Sequence, residues 1–129
     1  MRRPAIVLLG GIVAFGLVAT IVAITVEEPA PPPGAPLGER IYYRYCAHCH
    51  GRDGRGSWRA TIFLIRTGDL TDASRMQQNS DRYLFELIKL GGAPLGKPGM
   101  PGFAFQLTDQ HIEAVIAYVR NLPGDARAR

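Results

Sequence analysis

Cys46-Ala47-His48-Cys49-His50 constrains this chain more than any other stretch. Two thiols three residues apart, with an imidazole directly behind, are the groups that covalent attachment of a porphyrin needs. Each thiol adds to one vinyl group, and the adjoining imidazole reaches the iron from one face. A chain built this way has to organise its fold around a large, flat, apolar group. Two other uses of paired cysteines compete. Zinc needs four ligands, and because Cys46 and Cys49 are the only cysteines, two of the three histidines would have to complete the set. A redox-active disulfide belongs with a strand-then-helix unit, and no such pattern surrounds the pair. Haem fits the residues better than either.

Other residues fall into order with this motif. Gly38 precedes it, with Tyr42 four places on; Gly99-Met100-Pro101-Gly102-Phe103 follows it, and then the terminal stretch from Leu107-Thr108-Asp109 to Tyr118. With these elements in this sequence, the segment from about Gly38 to Leu122 resembles a class I monohaem cytochrome c. The resemblance implies an all-α, cytochrome c-like fold wrapped around one covalent haem c. It also implies His50 and Met100 as the two axial iron ligands, and one-electron transfer as the role. A thioether is a soft ligand that favours ferrous iron and raises the potential. With both axial positions filled no coordination site is open, which argues against an enzyme acting alone. Met76, the other interior methionine, is expected to be a packing residue, and neither His48 nor His111 is expected to ligate iron. Arg55, Trp58, Arg59 and Arg66 are candidates for the haem propionates. The family usually has a proline after the haem motif whose carbonyl orients the proximal imidazole. No proline lies between His50 and Pro94, so that acceptor has no assignment from the sequence.

The chain divides into three parts: residues 1–26 as an N-terminal transmembrane signal anchor, 27–36 as a Pro-rich extended linker, and 37–129 as the haem domain. Ala5 to Val26 is an uncharged run of about 22 residues, which as a helix would rise roughly 33 Å against a hydrocarbon core of about 30 Å. Arg2 and Arg3 before it and Glu27 and Glu28 after it orient such a helix with its start in the cytoplasm. That places the haem domain on the periplasmic side of a bacterial inner membrane, with the bilayer contacted through residues 5–26. The rival reading is a cleaved signal peptide. Its apolar region is shorter than this run, and Ala23-Ile24-Thr25 is a poor cleavage site. The prolines from Pro29 to Pro36 read as a polyproline-II spacer.

Three helices are expected in the head. Leu37, Ile41 and Tyr45 form a stripe running into the haem motif. Ser80 caps a helix carrying Tyr83, Leu84, Leu87 and Ile88 that ends at Gly91-Gly92. Thr108 caps the last, with Leu107 and Ile112 stapled across the cap, Ile112, Val115, Ile116 and Val119 buried, and Pro123 as its stop. In the family, the first and last helices cross where a glycine meets an aromatic, here Gly38 and Tyr118. Between His50 and Ser80 no period is sustained, and a loop folded against haem is expected. A formal charge of +4 without any long Lys/Arg run excludes nucleic acid as a partner. Expected partners are a membrane redox complex, whether a quinol-oxidising complex, a terminal oxidase or a photosynthetic reaction centre, or else a soluble redox protein.

Overall fold

The structure is a computed structural model that describes residues 2–25 and 30–125, with side chains over 7–22 and 30–122. Among these residues the regular elements are all helical: α1 (Arg2–Thr25), α2 (Leu37–Ile41), α3 (Ala47–His50), α4 (Trp58–Ile62), α5 (Ala73–Gln78), α6 (Asp81–Leu90) and α7 (Asp109–Asp125). A π-helical turn, Tyr42–Cys46, joins α2 to α3, and a 3-10 turn, Ala93–Leu95, follows α6.

The expected membrane crossing is corrected here. Among the described residues, no helix is long and apolar enough to cross a membrane. Of the expected span, 7–22 is the part whose side chains are described. The remainder of the expected span, at 5–6 and 23–26, lies outside the described side chains. Along α1, Val7, Leu8, Phe15 and Ile21 are exposed, and none of its described side chains joins the core. In the proline segment the chain turns before it enters the head. The Ala35 amide donates to the Pro32 carbonyl at 3.1 Å, and Ala35 is buried.

The core of the head is built where α2 meets α7. An added Cβ on Gly38 would lie 2.1 Å from the Ala114 carbonyl oxygen and 3.1 Å from Tyr118 Cβ. Only a residue without a side chain lets the helices approach this closely. Tyr42, one turn along, is fully buried, with its ring 5.2 Å from that of Tyr118. Leu107, Ile112, Val115, Ile116, Val119 and Leu122 supply the rest of the α7 side, as the spacing predicts. Thr108 caps the helix, its Oγ1 accepting from the His111 amide at 3.3 Å. The helix then runs through Pro123 to Asp125, past its expected stop. α6 matches its reading: Ser80 Oγ accepts from the Tyr83 amide, and Leu84, Leu87 and Ile88 are buried.

The interval expected to be loop contains two short helices. Ser57 caps α4 by accepting from the Ala60 amide, and Asp72 caps α5 by accepting from the Arg75 amide. α5 exists to deliver Met76, which is 4% exposed and part of the core, as a packing methionine should be. Arg120 on α7 fastens this region. Its guanidinium donates to the carbonyls of Met76 and Asn79 and pairs with Asp81 at 2.7 Å.

Candidate haem site

The haem motif occupies the last turn of a helical run that begins at Leu37 and changes pitch across Tyr42–Cys46. The residues after it fold straight back. The Gly56 amide donates to the His50 carbonyl at 2.8 Å, and the Ser57 amide to the Cys49 carbonyl at 2.9 Å. The Ser57 hydroxyl donates to the His48 carbonyl, and Tyr42 Oη donates to the Gly51 carbonyl at 2.7 Å. Burial pushes the Tyr42 phenol far above its ordinary pKa, so it remains a donor. Residues 46–57 are thus held by their own backbone, with Tyr42 and Ser57 as the side chains that complete the bonding. Neither residue follows from the motif. The one available signal is Ser57 at the start of a helix, since Ser is a preferred cap.

Cys46 and Cys49 are free thiols, each half-buried. Burial, and then the neighbouring Cys49, pushes the Cys46 thiol up to about 12, so it stays protonated. His50 Nδ1 is buried without a hydrogen-bond partner. Burial lowers the pKa of this ring, with the Gly68 backbone acting in the opposite direction. A neutral imidazole is the form that binds a metal, and an unpartnered nitrogen in a protein interior is costly unless something outside the chain completes it. Two free thiols and a neutral, incompletely bonded imidazole in adjoining positions fit a covalently held haem.

The loop carrying Met100 is stitched to the end of α6. The Gly92 amide donates to the Met100 carbonyl at 2.9 Å, and the Met100 amide to the Lys97 carbonyl at 3.1 Å. Beyond it, the Phe103 amide donates to Ile88 and the Ala104 amide to Lys89. Gly91, at φ 84°, makes the approach possible, because a Cβ there would meet Gly102 N at 2.7 Å and Met100 O at 3.0 Å. Lys97 Nζ donates to Tyr83 Oη at 2.8 Å, tying the loop to α6 a second time. Met100 and Cys46 lean on one hydrophobic core, and the rings of Tyr45 and Phe103 meet edge to face with centroids 5.9 Å apart. On its other side the loop meets the segment after α4, since Gly99 lies against Ile65. The structure therefore rests Cys46 of the attachment motif and Met100 of the loop on one core.

The remaining sequence candidates are more dispersed. Arg55, Arg66 and Trp58 are exposed, while Arg59 is half-buried with Nη1 3.4 Å from His48 Nδ1. His111 is half-buried on the first turn of α7. Among the described residues, no group of three or more His, Cys, Asp or Glu side chains is placed to hold a metal ion.

Comparison with known proteins accords with this geometry. No curated protein sequence matches the chain. A solved structure of a c-type cytochrome, KustC0563, superposes with a TM-score of 0.58 at 26% sequence identity, covering 66% of this chain and 95% of the other. A family model described as cytochrome c oxidase, cbb3-type, subunit III matches residues 34–119, from the turn before α2 to the buried face of α7. The match takes in the whole helical head that carries Cys46-Ala47-His48-Cys49-His50, and this chain belongs to that family: it is a c-type cytochrome domain that transfers electrons through a covalently bound haem c.

Proposed function

We propose that the chain passes single electrons to or from a membrane-bound terminal oxidase from the periplasmic side, with thioether bonds at Cys46 and Cys49 and with His50 and Met100 as axial ligands. The observation that carries this reading is the loop from Lys97 to Ala104, bonded along the end of α6 so that Met100 rests on the same core as Cys46. When bound, the haem supplies a centre that gains and loses one electron. The chain's own contribution is to keep that centre in place. Burial holds His50 neutral, the 51–57 turn fixes the backbone of the attachment segment, and the Gly91–Gly92 contact holds the methionine loop where a soft sulfur favours the ferrous state. The oxidase is preferred over a quinol-oxidising complex or a photosynthetic reaction centre because of the family description. Periplasmic placement follows from the site of covalent haem attachment in bacteria.

Carbon monoxide tests the ligand set. The reduced full chain should not bind it without denaturant; tight binding would mean an open iron position and favour ligand sensing or peroxide chemistry. Purification in mild detergent separates a fixed subunit, which should bring an oxidase with it, from a free carrier, which should come alone.

A further inference from the structure

Among the described residues, His50 Nδ1 is the one buried side-chain nitrogen or oxygen without a hydrogen-bond partner. With Nε2 given to iron, a neutral imidazole keeps its proton on Nδ1, and a buried donor there needs an acceptor. No side chain supplies one.

The main chain brings one close. Residues 67–71 lie alongside the turn that follows His50. The Leu70 amide donates to the Gly54 carbonyl at 2.8 Å, and a Cβ on Gly56 would come within 2.9 Å of Thr67 Oγ1. The partner numbers fall as the turn numbers rise, so the two segments run in opposite directions. The turn itself is bonded to the motif, the Gly56 amide donating to the His50 carbonyl at 2.8 Å. Gly68 sits between the two ties, and its backbone faces the His50 ring, where it favours the protonated form. A carbonyl oxygen acts in that direction, whereas an amide N–H would act against it.

The peptide carrying this oxygen joins Gly68 to Asp69. Asp69 Oδ1 accepts from the Thr71 amide at 2.8 Å and from the Thr71 hydroxyl at 2.7 Å, a side-chain turn that fixes the backbone just beyond Gly68. A Cβ at position 68 would meet nothing within 4 Å, so what this position contributes is main chain.

We infer that the Gly68 carbonyl accepts the Nδ1 proton of His50 in the haem-loaded chain, and that Asp69 is the positioning residue that aims it. The inference rests on His50 as an iron ligand, as proposed above, and adds what holds its ring. It gives an acceptor to a chain without a proline after the motif, and makes the placement of that acceptor depend on an exposed carboxylate. A carbonyl on Nδ1–H makes the imidazole a stronger donor to iron, which favours the ferric state. Loosening it should raise the potential.

The test uses the full haem-loaded chain, reduced so that the iron is diamagnetic, with isotope-labelled nitrogen throughout and isotope-labelled carbon at the glycine carbonyls. Nuclear magnetic resonance should show scalar coupling from His50 Nδ1 to the carbonyl that precedes the Asp69 amide. Coupling to another carbonyl, or to none, would overturn the assignment. Asp69→Ala should weaken the coupling and raise the potential. Asp69→Asn should keep the coupling and hold the potential below that of the alanine variant, because its amide oxygen still accepts from Thr71. Both variants remove the same charge, so the difference between them reads positioning alone, and equal potentials would remove Asp69 from the proposal. Gly68→Ala retains the carbonyl and should retain the coupling; its loss there would mean that the neighbouring ties do not hold the peptide, and the proposal fails. His50 ring protons without the upfield shift that a porphyrin imposes would instead defeat the ligand assignment beneath it.

Discussion

Tyr42 reaches across the first turn of the head to Gly51, its hydroxyl 2.7 Å from the carbonyl of the residue directly after His50. The phenol is fully buried, so it satisfies that carbonyl from within the core while filling the space between α2 and α7. Tyr42→Phe keeps the ring and removes the donor. Leaving a buried acceptor unpaired costs about 1–3 kcal/mol, and denaturant unfolding of the haem-loaded chain should register a loss of that size with little change in slope.

Gly38→Ala should be worse, although it adds a single methyl. The new Cβ would fall 2.1 Å from the Ala114 carbonyl, an atom of helix backbone that cannot rotate away. Overpacking of this kind costs about 1–3 kcal/mol or more. Thermal melting should show the drop, with Gly10→Ala, which faces open space in α1, as the neutral control.

Met100 and Met76 make opposite predictions. Met100→Ala should abolish the near-infrared charge-transfer band of methionine-ligated ferric haem, lower the potential and admit carbon monoxide to the reduced chain. Met76→Ala should retain the band and instead cost about 2–5 kcal/mol, because it empties a core position that is 4% exposed. A band lost in the second variant and kept in the first would reverse the assignment.

Covalent attachment is read directly on a denaturing gel. Haem stain should follow the wild-type chain and disappear from the Cys46→Ala, Cys49→Ala double variant. Haem released from the wild type by acid-acetone would show that no thioether had formed.

Much of this was legible in the sequence, and the exceptions have physical causes. The stripes on α6 and α7 were readable because each helix repeats its apolar period over two turns or more. Gly38 was readable through the family resemblance, which implies a glycine meeting an aromatic where the first and last helices cross. α4 and α5 were not readable: five and six residues hold less than two turns, too few to display a period. Their caps, Ser57 and Asp72, were the only marks they left. The Gly91 contact with the methionine loop was hidden for another reason, since it joins parts of the chain that only the tertiary fold brings together. The apolar run near the N-terminus pointed to a membrane helix that the described residues do not support.

Arg120 draws α5, the Asn79 link and the start of α6 onto α7 with one guanidinium. The consequence concerns the order of assembly. Ribosomal synthesis releases the haem motif about seventy residues before Arg120 emerges, and until then the middle of the chain lacks its fastening. The residues between the haem motif and α6 therefore depend on a side chain from the last helix, so a chain cut short before Arg120 would lack the bonds that fasten its middle.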